Sequence, residues 1–141
     1  MVALGCGGCS IARPTAAASA ATIAARGTGT ARVDITLDLT NSGRNEVELV
    51  DYSYLITLED GSSYDGRWAA LRALPPGQTV QATVPAVLPL ASVRDGVRWR
   101  VTGHASYRDP QSIARILYEA GILRTQSDFS GEGRLADAPG K

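Results

Sequence analysis

The chain is poor in the residues that carry most enzyme and metal chemistry. Its 141 residues include one histidine and two cysteines, and both cysteines, Cys6 and Cys9, lie at the start of the chain. A structural zinc site needs four ligands, and a nucleophilic triad needs a histidine with an orienting acid, so these sets lack members and no cofactor or metal is expected. Neither charge is in excess, because 14 basic and 14 acidic side chains cancel. With no cationic surplus to neutralise phosphates, nucleic acid is not expected as a partner. No run approaches the roughly 20 consecutive apolar residues that cross a bilayer as a helix. What is present, 44% hydrophobic and 20% charged residues with 15 glycines and 7 prolines, is the composition of one ordinary globular domain.

The first residues suggest an anchor. Val2-Ala3-Leu4-Gly5-Cys6 resembles the end of a bacterial lipoprotein signal, in which small residues precede a cysteine that becomes acylated. Only five residues stand before Cys6, short of the about 7 to 15 apolar residues of a complete signal. Lipidation is assigned to Cys6, with Cys9 as the alternative. The stretch from Ser10 to Ala25, rich in Ala, Ser and Thr with almost no charge, reads as a flexible spacer. The expected organisation is a signal-like start and spacer over 1–28, a β domain over 29–131 and a mobile tail over 132–141. The expected location is the bacterial cell envelope, lipid-anchored and extracytoplasmic, with the cytoplasm as the alternative. Cys6-Gly7-Gly8-Cys9 is also a C-x-x-C, but a redox dithiol needs a helix start in a βαβ unit and zinc needs two further ligands; neither follows.

From Arg32 the pattern becomes strict alternation. Val33, Ile35, Leu37 and Leu39 take one face and Asp34, Thr36, Asp38 and Thr40 the other, which is the period of a half-buried strand. Asn41-Ser42-Gly43 supplies a reversal. Val47 and Leu49 then alternate at odd positions but Tyr52, Tyr54, Ile56 and Leu58 at even ones. One extra residue near Val50-Asp51, a bulge, returns both sets to one face. Asp60-Gly61 signals a hairpin into a short polar strand around residues 63–65. Trp68, Leu71 and Leu74 recur every third residue, which matches neither period cleanly, so residues 68–74 read as a short strand or a turn of helix. Pro75-Pro76-Gly77 is a turn, and Val80, Ala82 and Val84 form the next strand. Pro85 and Pro89 make residues 84–90 an edge or a loop. Val97, Trp99, Val101, Ala105 and Tyr107 mark a late strand. Asp109-Pro110 followed by Ile113, Ile116, Leu117 and Ala120 predicts a short helix ended by Gly121. Phe129 is the last strong apolar anchor.

Short strands with turns between them, no βαβ rhythm and one helix predict an all-β fold: an immunoglobulin/fibronectin type III-like antiparallel β-sandwich with one short C-terminal helix. The order of features resembles the late embryogenesis abundant group 2 domain, also called the water stress and hypersensitive response domain. The resemblance rests on the strand ending at Asn41, the strand through Tyr52 and Tyr54, Asp60-Gly61, and Leu74-Pro75-Pro76-Gly77 leading into Val80 to Val84. The strand through Gly103 and the closing Phe129 and Gly131 complete it. Two departures stand out: Ser42 replaces the family's usual proline, and the predicted helix from Pro110 to Ala120 is an insertion. The resemblance implies a fibronectin-like sandwich without catalytic residues, associated with desiccation and stress tolerance. The functional expectation is a non-enzymatic, membrane-tethered protective or binding domain with protein clients. The alternative is an accessory or assembly subunit of an envelope complex that uses a sheet edge to bind a protein partner. Oligomeric state is not set by the sequence.

Four constellations invite a functional reading. His104, on the polar side of its strand between Thr102 and Ser106, reads as a rim histidine, since catalysis requires a nucleophile and a carboxylate beside it. Arg98, Arg100 and Arg108 could grip an anion, but read as a solvated stripe pairing with acids such as Asp34 and Asp38. Glu59, Asp60 and Asp65 lack calcium-loop spacing and read as turn chemistry. Trp68, Trp99 and the five tyrosines read as packing, with an exposed aromatic at a sandwich edge marking where a hydrophobic client docks.

Overall fold

The computed structural model describes residues 14–108 and 125–137. Its strands are β1 (Thr15–Arg26), β2 (Thr30–Thr40), β3 (Val47–Leu58), β4 (Ser63–Leu74), β5 (Thr79–Pro89), β6 (Arg98–Arg108), β7 (Thr125–Arg134) and β8 (Ala136–Asp137), with one 3-10 turn at Leu90–Ser92. They form two four-stranded sheets, ordered β5-β2-β1-β8 and β4-β3-β6-β7. Every pairing is antiparallel except the two-residue contact of β1 with β8. The period-two side chains meet between the sheets as one core, in which Val33, Ile35, Leu37, Ile56, Val84 and Val101 have no exposure. An all-β sandwich is therefore the architecture. Among the described residues no helix is long and apolar enough to cross a membrane.

Several local expectations appear at the residues that signalled them. Register slips between Leu49 and Asp51 against both neighbouring strands, so the apolar set of β3 stays on the inner face. Gly61 and Gly77 take positive φ angles of 92° and 72° in the turns that follow Asp60 and Pro76. Among the described residues β5 lies at a sheet edge and pairs only with β2, so Pro85 and Pro89 cost no ladder on its other side. Residues 63–65 and 68–74, read separately, are instead one twelve-residue strand, β4. The bulge explains the misleading spacing: β4 carries an extra residue between Ala69 and Arg72, so Trp68 and Leu74 stand opposite Tyr52 and Val47 despite their wider separation.

Asn41 ties these elements together. It is 1% exposed, and its Nδ2 donates to the carbonyls of Asn45 (2.8 Å) and Leu74 (3.0 Å) while its Oδ1 accepts from the Gly43 N–H (2.9 Å). Its backbone accepts from Gly77 N and donates to Gln78 O. One residue thus joins the end of β2, the end of β4 and, through its backbone, the β4–β5 turn.

The segments at both ends of the described residues depart from expectation. Residues 15–26, read as spacer, form β1, which pairs along its length with β2 and buries Ala18, Ala21 and Ile23. The small side chains that made the segment look structureless allow close approach. A Cβ built on Gly131 would lie 2.0 Å from the Ala18 carbonyl oxygen, so β7 runs tightly against β1. The Ser127 hydroxyl, donating to the Pro14 carbonyl, holds the same seam. Nor does the domain end at residue 131. β7 continues to Arg134, Leu135 is 1% exposed, and Asp137 on β8 pairs with Arg26 at 2.9 Å. Leu135, not Phe129, is therefore the last buried apolar anchor among the described residues. The predicted helix from Pro110 to Ala120 and the cysteines Cys6 and Cys9 lie outside the described residues.

Candidate functional site

The ends of the two sheets are not equally protected. A strand edge presents unpaired N–H and C=O groups that template further pairing, and proteins blunt such edges with proline, charge or a covering element. β5 carries two prolines, and β1 is pressed against β7 and capped by β8. β4 carries Asp65, Arg67 and Arg72 but no proline between Ser63 and Leu74, and β3 is the one strand it pairs with in a ladder among the described residues. Along most of its twelve residues no strand pairs with its far side among the described residues, while at its end Arg72 donates to the Gln81 carbonyl of β5 and the Leu74 carbonyl accepts from Asn41.

The inner side of this edge is aromatic. Tyr64, Gly66 and Trp68 stand opposite Ile56, Tyr54 and Tyr52 of β3. The Tyr54 and Tyr64 rings are tilted, with centroids 6.3 Å apart. Gly66 makes room for them: a Cβ there would meet Tyr64 Cε1 at 2.5 Å and Tyr54 Cζ at 2.8 Å. The Tyr54 hydroxyl donates to the Pro85 carbonyl on β5, which fastens the two sheets at this end. Arg72 reaches the same way, its Nη1 donating to the Gln81 carbonyl at 3.2 Å. Burial holds the Tyr54 hydroxyl well above the usual phenol range, and Tyr64 adds to the shift. Burial also raises Tyr52, partly offset by the positive charge of Arg72, and its hydroxyl has no hydrogen-bond partner among the described residues. Trp68, beyond this layer, is 49% exposed. On the outer side stand Asp65 and Arg67, both exposed; Arg67 Nη2 pairs with Asp51 Oδ2 of β3 at 2.9 Å.

The other candidates disperse. The arginines do not pair with Asp34 and Asp38, which lie on β2 in the opposite sheet. Arg108 pairs with Glu48 at 3.0 Å and Arg100 with Glu132 at 3.4 Å. Arg98 and Arg100 do line an open groove of about 560 Å³ with Thr57, Glu132 and Arg134, but acids interleave with the cations. Trp99 also borders the groove while itself 3% exposed, with Gly133 against its ring. His104 falls in a row with Ser53 of β3 and Asp128 of β7. No hydrogen bond or ion pair joins the three, and the amides of β6 are engaged by strands on both sides. Asp60 Oδ1 accepts from Ser62 N at 2.9 Å, and hydrogen bonds from Ser92 and then Ser62 hold its carboxyl below the usual range. Glu59 Oε1 accepts from Arg98 N at 2.8 Å, and Asp65 stands apart on β4. Among the described residues no group of three or more His, Cys, Asp or Glu could hold a metal ion.

Of the aromatics, Trp99 and the core tyrosines pack as expected, whereas Trp68, also read as packing, is half exposed at a sheet edge. Sequence reasoning missed that β4 is continuous and open. The signal was available in contrast: prolines interrupt residues 84–90 and none interrupts 63–74.

No protein-family model matches the chain, and no curated protein matches it. Solved structures with a similar fold exist. The solution structure of an Arabidopsis thaliana protein is 11% identical with a TM-score of 0.66, and the match covers 93% of this chain and 87% of that one. The solution structure of a candidate late embryogenesis abundant (LEA) protein is 12% identical with a TM-score of 0.63, over 89% of this chain and 72% of that one. A candidate ApaA protein from Bordetella pertussis is 14% identical with a TM-score of 0.58, over 93% and 98%. At these identities the likeness is one of fold.

Proposed function

We propose that the chain is a non-enzymatic, stress-related domain of the late embryogenesis abundant group 2 type, which shields extended apolar segments of client proteins by pairing them with β4. The carrying observation is the twelve-residue, proline-free edge with Trp68 half exposed beside it. An extended client gains main-chain hydrogen bonds from such an edge and places alternate side chains against the aromatic layer. The fold shared with an LEA-type structure supports this reading. The strand orders β5-β2-β1 and β4-β3-β6-β7 support a fibronectin type III-like arrangement as its framework.

The test is suppression of aggregation of a drying-sensitive enzyme by wild type and by Trp68→Lys. Because Trp68 is 49% exposed, the variant should keep its fold while losing most of the protection. Equal protection by both proteins overturns the reading. A pull-down that recovers one stoichiometric partner through β4, with no protection of unrelated clients, would assign the edge to a dedicated envelope complex instead.

Attachment to a bacterial membrane through a lipid on Cys6, and with it an extracytoplasmic location, is a separable part of the proposal. It rests on Val2-Ala3-Leu4-Gly5-Cys6 alone, since the segment first read as tether is a strand. Metabolic labelling with a radioactive fatty acid tests it. The label should persist in Cys9→Ser and vanish in Cys6→Ser, and label retained in Cys6→Ser rules that acceptor out.

A further inference from the structure

We infer that a second copy of this chain is the resting occupant of β4, paired antiparallel about a two-fold axis centred on Gly66. The inference builds on the reading of β4 as a pairing edge and names what covers it when no client is present. A long open edge beside a half-exposed tryptophan is a hazard that folded proteins rarely leave bare.

Charge fixes the register. When a strand pairs with its own copy across a two-fold, inner-face residues meet inner-face residues, so the axis passes through one residue. Centred on Gly66, Asp65 of each copy faces Arg67 of the other, which gives two opposite-charge pairs on the outer side. Centred one residue earlier, Asp65 would face Asp65. Centred one residue later, Arg67 would face Arg67. Both neighbouring registers set like charges against each other, so the sequence selects the Gly66 axis against its nearest competitors. On the inner side the same register sets Tyr64 of each copy against Trp68 of the other, which covers the exposed indole with an aromatic cross-strand neighbour. Arg67 can serve two acids, because its guanidinium carries five donors and the bond to Asp51 uses Nε and Nη2. Asp65 makes no ion pair among the described residues, so it is available. The arrangement continues the β4-β3-β6-β7 sheet into its copy.

The test is charge complementation, read by sedimentation equilibrium of the full chain without client. Wild type should dimerise. Asp65→Arg and Arg67→Glu should each weaken the dimer by about tenfold or more, since each turns two attractive pairs into two repulsive ones. Mixing the two variants should restore it. In the mixed dimer the arginine introduced at position 65 of one copy meets the glutamate introduced at position 67 of the other, and the unchanged Arg67 and Asp65 meet each other. Circular dichroism confirms that each variant is folded. A monomeric wild type, a single variant that dimerises as wild type does, or a mixture of folded variants no tighter than either alone overturns the inference. A monomeric wild type that still protects clients overturns self-pairing while leaving the client reading intact. Monomeric variants that protect clients better than wild type support both.

Discussion

Replacing Asn41 separates a hydrogen-bond knot from simple packing. Asn41→Ala removes three side-chain hydrogen bonds and leaves the buried Leu74 carbonyl without its donor. At about 1 kcal/mol per bond, and somewhat more for a buried group left unpaired, the loss comes to about 3 to 4 kcal/mol. Asn41→Asp is nearly isosteric and keeps the acceptor for Gly43 N–H, so a packing account expects it to be mild. The hydrogen-bond account expects the reverse. An oxygen now faces the carbonyls of Asn45 and Leu74 where the amide donated at 2.8 and 3.0 Å, and a carboxylate is buried at a position 1% exposed. The Asp variant should therefore be less stable than the Ala variant at pH 7. Its folded carboxyl would titrate above the unfolded value of about 3.9, so the deficit is full above the raised pKa. As pH falls through that raised value toward the unfolded one, the deficit shrinks and the protonated acid regains one donor. Urea unfolding at pH 7 and at about pH 4.5 reads this as a shift of midpoint at unchanged slope. An Asp variant as stable as Ala at pH 7, or a deficit that grows on acidification, would refute the reasoning.

Two further outcomes follow from the fold. Ile23, 3% exposed on β1, should cost about 2 to 4 kcal/mol when changed to alanine, whereas a spacer residue would cost nothing measurable in the same urea titration. The Asp60 carboxyl is held low by hydrogen bonds from Ser92 and Ser62, so its contribution is present above the ordinary carboxylate range and lost as pH falls through the lowered value. Thermal unfolding of Asp60→Asn across the acid range should show a gap from wild type that closes at low pH; a gap that widens on acidification contradicts the assignment.

How much was legible depended on the size of the side chains. Val33, Ile35, Leu37 and Leu39 are large and strictly alternating, so β2 could be read from period alone. The bulge in β3 was readable because Leu49 and Tyr52 are both large apolar residues on opposite parities. β1 was hidden because alanine carries little hydrophobic signal. Its register slips between Ala18 and Ala20 and between Ile23 and Ala25 also break any alternation. β4 was cut in two because an extra residue gives its inner face a mixed spacing, which becomes interpretable once β3 lies beside it. Composition and edge logic raised the idea of an exposed edge aromatic, but Trp68 itself read as packing, because its exposure depends on β4 being an edge. Gly66 as a candidate centre of pairing, with Asp65 and Arg67 flanking it, needed the register and the knowledge that β4 is an edge. The ion partners of Arg100 and Arg108 were unreadable, since strand order decides which acids lie in the same sheet.

The account turns on β4 as the place where an extended segment is captured. Amide hydrogen exchange of the full chain, at a dilution where β4 is not paired with a second copy, with and without a bound unfolded client, measures this directly. The account expects new protection concentrated within Ser63–Leu74, with β5 and the outer faces unchanged. Protection that appears on β5 or over the arginine groove while β4 exchanges as before would contradict it.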